Sequence, residues 1–297
     1  MIQALQDRVE AQLSVEVDAA ARALGAHLAS EADAMAVLFY GSNLRTGSRE
    51  GVLDFYVLLP GSQRDRIWPR VSYREWEYEG DTLRAKVATM TLGTFLEAAR
   101  GDLRDTTIWA RFVQPSALVW QRDRASAEML RDAIGEAAQT AARLAVALGP
   151  ERGTAEDFWR TLFRATYQAE FRVEKPGRED SILSVNAAHF DGLLPLALSA
   201  QGIPFERDGE HLIPHMPDFE KDRVKRWWSG RRRLGKPLNL LRLAKASTTF
   251  EGASRYAAWK IERHTGIELE VTPFREKHPL LAAPGVVWAL WKAKRSG

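Results

Sequence analysis

Met35-Ala36-Val37-Leu38-Phe39-Tyr40-Gly41-Ser42 and, after a polar linker, Val52-Leu53-Asp54-Phe55-Tyr56-Val57-Leu58-Leu59 decide how this chain is read. The first stretch is a hydrophobic, strand-like run that stops at a Gly-Ser turn. The second, from Leu53 to Leu59, is another strand-like run with one acid embedded near its start. A glycine turn lets the backbone approach a phosphate closely, and a carboxylate on the next strand can hold a magnesium ion that bridges phosphate oxygens. An acid inside an apolar strand is costly unless a metal or a cation compensates it. Asp54 is therefore the first candidate for metal binding and catalysis, and Tyr40, Gly41, Ser42 and Asn43 are candidates for nucleotide contact.

Strand, Gly-Ser, polar linker, then a strand bearing an apolar-flanked Asp resembles the pattern of the polymerase-β-type nucleotidyltransferase superfamily. That superfamily usually places a second carboxylate two residues after the first, on the same strand face. Here the position is Tyr56. A two-metal site would need another acid, with Glu50, Glu79 and Asp81 as unranked candidates, so a single Mg2+ is the expectation.

Working outward, Met1 to Ala29 reads as one amphipathic helix. A charged, Trp-containing stretch from Gln63 to Gly80 follows the second strand, and Leu83 to Leu92 reads as a third strand. Thr94 to Arg100 and Thr106 to Val113 read as helices, Ala117 to Trp120 as a strand, and Arg122 to Leu148 as a long alanine-rich helix. Gly149-Pro150-Glu151-Arg152-Gly153 breaks the pattern and suggests a domain boundary. Beyond it, Thr154 to Gln201 is mostly helical in period, with a loop around Pro176-Gly177, and residues 202 to 218 read as a long loop or hairpin. The expected fold class is α/β (α+β): a nucleotidyltransferase-type mixed-sheet domain over residues 1–150, then a mainly helical domain over 151–297.

At 297 residues the chain can bury a sizeable core. Without cysteine there is no disulfide, no thiolate metal site and no cysteine nucleophile, so carboxylates, hydroxyls, histidines or a bound metal must carry the chemistry. No secretory or transit segment is expected from the acid-containing N-terminus, and no uncharged apolar run approaches the roughly 20 residues that cross a bilayer. The formal charge is only +3, yet Lys221 to Lys245 holds ten Lys and Arg against Asp222 alone. Such a concentration expects an anionic partner.

Four separated stretches resemble the mitochondrial translocator assembly and maintenance protein family, the peripheral-membrane CDP-diacylglycerol synthases and their bacterial relatives. Phe39-Tyr40-Gly41-Ser42 is similar to the family's Tyr-Gly-Ser turn. Val52-Leu53-Asp54-Phe55 is similar to its Leu-Asp-Phe strand, in which the following position is also apolar or aromatic. Thr107 to Pro115 resembles a segment ending in Gly-Arg-Leu-x-Lys-Pro, with Ala110 in place of the glycine and Arg111 kept. Glu170-Phe171-Arg172, Glu179-Asp180 and Asn186-Ala187-Ala188-His189-Phe190 follow in the family's order, with Ser184-Val185 where it has Lys-Pro. The likeness runs over roughly residues 35 to 265.

What the resemblance implies is a magnesium-dependent reaction of CTP with phosphatidic acid that gives CDP-diacylglycerol and pyrophosphate. Asp54 would hold the metal, Gly41 and Ser42 the triphosphate, and Arg111, Arg172, Arg84 or Lys86 the phosphates, with His189 donating to a phosphate or orienting Asp180. Lys225-Arg226-Trp227-Trp228 and Arg231-Arg232-Arg233 would meet an anionic membrane surface, and Pro284 to Lys294 offers a second apolar-then-basic element. The expected setting is cytoplasmic and peripheral on the inner face of a membrane, with no nucleic acid partner. Another nucleotidyl acceptor, or a catalytically silent binding protein, is the alternative.

Overall fold

The computed structural model describes residues 2–105, 107–169 and 178–249, with Gly252, Ser254, Arg255, Ala258, Trp259 and Thr272 beyond them. Arg172, with Glu170 and Phe171, the loop at Pro176-Gly177 and the stretch from Pro284 to Lys294 lie outside the described residues.

The chain opens with two helices, α1 (Ile2–Leu13) and α2 (Ala19–Ala32), rather than the single one expected. Asp18 makes the break: its carboxylate accepts the backbone N–H of Ala20 at 2.9 Å and of Ala21 at 3.4 Å, and so starts a new helix. β1 (Ala36–Tyr40), the short α3 (Ser42–Thr46) and β2 (Leu53–Leu59) follow. Next come β3 (Arg70–Tyr78) and β4 (Asp81–Thr91), so half of the charged stretch from Gln63 to Gly80, to which the sequence pattern assigns no element, is a strand. α4 (Leu92–Arg100), α5 (Thr107–Phe112), β5 (Ser116–Gln121) and α6 (Arg124–Leu148) complete the first half. The second half holds β6 (Gly153–Thr154), α7 (Ala155–Ala169), α8 (Arg178–Val185), α9 (Ala187–Phe190), α10 (Leu193–Ala200), β7 (Phe205–Asp208), β8 (His211–Pro214) and α11 (Asp218–Thr249).

The main sheet has the order β3-β4-β2-β1-β5 and is mixed, with β2 and β4 parallel and the other pairs antiparallel. The fold is thus α/β. Alternation along the strands divides the apolar side chains between two faces. Val37, Phe39, Phe55, Val57 and Val87 pack with Leu24 and Leu28 of α2. On the opposite face Leu38, Tyr56 and Met90 meet Phe95 of α4, Phe112 of α5 and Ile134 of α6. That second cluster continues without interruption past the boundary expected at 149–153. It takes in Phe158 and Trp159 of α7, Leu194 and Leu198 of α10, and Val224 and Trp228 of α11. α6 is the shared partner, because its small residues Ala133, Ala137, Ala141, Ala142 and Ala145 let helices approach closely on several sides. The stretch 202–218 forms the hairpin β7–β8, joined by β6 into a small three-stranded sheet.

The basic segment, Lys221 to Lys245, makes up most of α11, and its burial corrects one sequence expectation. Trp228 is only 4% exposed and Arg231 8%, and Trp227 is partly buried. Trp227 and Trp228 pack on the fully buried Trp109, with ring centroids 5.8 and 6.0 Å away. The Trp227 indole N–H donates to the carbonyl of Gly101 at 3.0 Å. The Arg231 guanidinium lies 3.9 Å over the Trp227 ring and donates to the carbonyls of Gly101 and Leu103. Trp227 and Arg231 hold α11 to the loop after α4, Trp228 holds it to α5, and the three do not face outward. Lys225, Arg226, Arg232 and Arg233 are exposed on the other side of the helix. Among the described residues no single helix is long and apolar enough to cross a membrane.

Trp109 fills the junction of α5, α6 and α11 with no solvent exposure, so its truncation leaves a large void. Trp109→Ala should destabilise the protein by about 3–5 kcal/mol, read as a lowered urea midpoint.

Candidate active site

Strand register assembles the site. Ser116, Tyr40, Asp54, Lys86 and Tyr73 are direct partners in turn across β5, β1, β2, β4 and β3. Opposed residues share a face, so Asp54 projects between Tyr40 and Lys86 on the side covered by α4, α5 and α6. Gly41 ends β1 at φ +91°, a backbone region that other residues enter only with strain. A Cβ there would also lie 2.9 Å from Asp54 Oδ2. Both constraints explain the glycine of the Gly-Ser turn: the carboxylate lies against bare backbone.

The residues after the turn act on the loop itself. Asn43 is 7% exposed, and its amide nitrogen donates to the carbonyls of Ser48 at 2.9 Å and Glu50 at 2.8 Å. Both amide hydrogens are committed, so the side chain of Asn43 fastens the linker and its N–H groups are not turned toward a nucleotide. Ser42 Oγ lies 3.3 Å from Asn43 Oδ1, and Arg45 donates to the carbonyl of Gly41 at 3.3 Å. Glu50, Gly51, Asp81 and Arg84 line a separate open groove of about 510 Å³ toward the β3–β4 turn. There Arg84 lies 3.6 Å from Glu75, whereas of the two alternatives offered for the phosphates, Arg84 or Lys86, it is Lys86 that lines the cavity beside Asp54.

Beside Asp54 the sheet face opens into a cavity of about 170 Å³ lined by Tyr40, Tyr56, Arg70, Lys86, Thr107, Arg111, Asn239, Arg242 and Lys245, among others. None of the described residues lining it is acidic. Its floor accounts for the missing second carboxylate. Tyr56 is 2% exposed and packs edge-on against Phe112 at 5.1 Å, within an aromatic group that includes Tyr40 and Phe95. An acid at that position would be buried among rings.

Arg111 reaches the cavity from α5, donating from Nη1 to the Tyr40 hydroxyl at 2.9 Å. Burial pushes the Asp54 carboxyl up, while Lys86 and Arg111 pull it down. Burial likewise raises the Tyr40 hydroxyl, which stays protonated at neutral pH. Arg242 and Lys245 come from α11, three residues apart on one helix face. Arg242 Nη2 meets Asp105 at 2.7 Å and its Nε donates to the carbonyl of Trp68 at 2.9 Å. Lys245 meets Asp65 at 2.9 Å and the carbonyl of Ile67 at 2.7 Å. Asp105, 2% exposed, also accepts the backbone N–H groups of Thr107 and Ile108 at 3.0 Å, so one carboxylate starts α5 and anchors α11. The sequence reading flagged Arg242 and Lys245 only as part of a basic run and missed Arg70. The buried positions at 224, 228, 231 and 235 carry the helical period that points Arg242 inward.

His189 is not in the cavity. Its Nε2 is 2.8 Å from the carbonyl of Val113, just past α5, and Arg8 donates to the carbonyls of Ala188 and His189 behind it. Asp180 pairs with Arg160 at 2.7 Å and Glu179 with Arg164 at 3.2 Å, so neither is oriented by His189. Burial pushes the His189 imidazole down to about 4, so it is neutral at pH 7 and its Nε2–H serves the Val113 carbonyl. The catalytic role expected for it gives way to a positioning one, holding the segment that follows Arg111.

The metal-binding capacity of the described residues is narrow. They include no group of three His, Asp or Glu side chains able to hold an ion. One hard carboxylate against a glycine cradle fits a magnesium ion that takes its remaining ligands from substrate phosphates and water, the common habit of that ion.

Two tests follow from this geometry. Gly41→Ala should lower stability by about 1–3 kcal/mol in thermal unfolding, since it adds strain and crowds Asp54. For His189, the unfolded imidazole takes a proton near its ordinary 6.5 while the folded one resists until about 4. Its contribution is therefore fully present above pH 6.5 and lost as pH falls toward 4, on the order of 3 kcal/mol. Urea unfolding across that window should show the loss in the wild type and a flatter profile in His189→Gln. Compared with known families and characterised proteins, the chain matches no family model and no curated protein.

Proposed function

We propose that this chain is a cytidylyltransferase that joins CTP to phosphatidic acid, giving CDP-diacylglycerol and pyrophosphate. The observation that carries the nucleotidyltransferase part is the placement of Asp54 against the bare Gly41 backbone, beside Lys86 and a cavity rimmed by Arg70, Arg111, Arg242 and Lys245. The choice of CTP and of a phosphatidic acid acceptor rests on the resemblance of the Tyr-Gly-Ser turn, the Leu-Asp-Phe strand and the Arg111 segment.

In such a reaction an acceptor phosphate oxygen attacks the α-phosphorus of the nucleotide and pyrophosphate leaves. The protein must bring two anions together and balance the charge that grows on the leaving group. Magnesium, when bound, neutralises part of the triphosphate charge, with Asp54 as its protein ligand. Gly41 and the adjoining Ser42 allow the phosphates to come close to the backbone. Lys86 serves as a point charge beside Asp54, and Arg111, braced by the Tyr40 hydroxyl, offers a fixed planar donor set. The aromatic floor of Tyr56, Phe95 and Phe112 excludes water from beneath the phosphates and strengthens each of these interactions. The setting we propose is the cytoplasmic, inner face of a membrane, reached by peripheral association.

A second reading has one observation in its favour. Among the described residues Asp54 alone supplies a carboxylate on this face next to the turn, while Tyr56 holds the place of the usual partner. A nucleotide-binding protein without turnover would have the same cations and the same cradle.

Pyrophosphate release from each of the four nucleoside triphosphates, with magnesium and with or without phosphatidic acid vesicles, separates the two. The proposed function expects release with CTP and lipid together, lost on magnesium chelation and reduced about a hundredfold or more in Asp54→Ala. A folded wild type that binds CTP yet releases no pyrophosphate would leave the binding reading.

A further inference from the structure

α11 presents different chemistry on its two sides within the same turns. Asn239, Arg242 and Lys245 line the cationic cavity. Between them Leu240 and Leu241 are 64% and 52% exposed, two adjacent apolar side chains in a helix otherwise rich in cations. Lys236 and Arg232 stand four and eight residues before Leu240, and Arg233 stands eight before Leu241. All three cations are exposed. By helical spacing Arg232, Lys236 and Leu240 form one row and Arg233 and Leu241 a second beside it, each cationic first and then apolar and both on the side turned from the cavity. No Asp or Glu occurs in the sequence from Arg223 to Thr249.

Water alone suits the cations but not the leucines, and a nucleic acid backbone suits the cations but offers the leucines no apolar depth. An anionic bilayer accommodates both. Its headgroup phosphates attract each Lys or Arg by about 1 kcal/mol, and its acyl boundary receives apolar side chains from a helix lying in the interface. The cavity on the inward side of the same turns is ringed by Lys86, Arg111, Arg242 and Lys245, a lining suited to a phosphomonoester.

We infer that the Arg232–Leu241 stripe docks on an anionic bilayer, and that the cavity directly behind it receives the phosphomonoester head of a lipid drawn from that bilayer. The inference deepens the proposed function and rests on it for the use of the captured head; docking itself does not depend on turnover. It assigns the membrane contact to residues different from the Trp227, Trp228 and Arg231 cluster, which the fold turns inward.

The test uses the full chain and its Leu240→Asp/Leu241→Asp and Arg232→Glu/Lys236→Glu variants, none of which alters a cavity-lining side chain. Co-sedimentation is measured on phosphatidylcholine vesicles with and without phosphatidic acid, at low and high salt. Pyrophosphate release is measured with vesicle-borne phosphatidic acid and with a short-chain, water-soluble phosphatidic acid. The expected result is wild-type binding to the anionic vesicles that weakens with salt, and binding weaker by about tenfold or more in each variant. Release on vesicles should fall in parallel, while release with the soluble lipid stays within about twofold of wild type.

Variants that sediment like the wild type overturn the docking surface. Equal loss on vesicle-borne and soluble lipid, in variants with unchanged thermal midpoints, overturns the link between docking and capture. If the wild type binds vesicles but turns over neither lipid, the proposed function fails while the docking surface stands. A milder Leu240→Ser/Leu241→Ser pair carries the same comparison should the aspartate pair unfold.

Discussion

A buried carboxylate shared by two helices fixes the geometry on which the site depends. Asp105 accepts the first backbone N–H groups of α5 and meets Arg242 of α11 at 2.7 Å. Removing a charge from water is expensive, and the cost is offset only where several polar partners converge on it. Here the convergence has a geometric result. α5 carries Arg111 and α11 carries Arg242 and Lys245, so the same ion pair that satisfies Asp105 also sets how far apart the cations of the cavity stand. The carbonyls of Gly101 and Leu103, held by Arg231, secure the same loop a few residues earlier. Trp109 packs between them and closes the junction to water.

Around Asp54 the balance is different. Its carboxyl is desolvated by burial and drawn back toward ionisation by Lys86 and Arg111. The two tendencies oppose one another, which makes the proton affinity of the group sensitive to any added positive charge near Gly41. A binding site for a phosphate-bound cation gains from such poise, since the carboxylate is least stable when nothing positive is added. Tyr56 belongs to the same balance. By filling the usual acid position with a ring it keeps the cavity floor apolar and leaves Asp54 as the single negative group in the row that runs from Ser116 to Tyr73.

Much of this arrangement was legible from residue pattern alone, and the failures are physically specific. β1 and β2 were legible because both are buried on two faces and read as continuous apolar runs. β3 was not, because an edge strand with Arg70, Arg74, Glu75 and Glu77 along it lacks that signal. The break between α1 and α2 contains no glycine or proline, and only the capping role of Asp18 betrays it. Gly41 and Asp54 were found by motif; the burial of Asn43 was not, since an amide that folds its own loop and one that binds a ligand look alike in sequence. Trp227, Trp228 and Arg231 were misread through composition. Their spacing with Val224 and Gly235 carries the helical period of an inward face, and charge density alone cannot say which side of a helix a residue occupies.

The alanine-rich α6 has a consequence for biosynthesis. It leaves the ribosome before α7, α10 and α11, yet much of its surface is destined to lie beneath them. Until the final third of the chain has been made, the nascent sheet and α6 present an uncovered apolar flank, the kind of surface that chaperones bind and that aggregates when left bare. A ribosome stalled within α11 would display the residues of the sheet and its motif while the cationic cavity still lacked a wall.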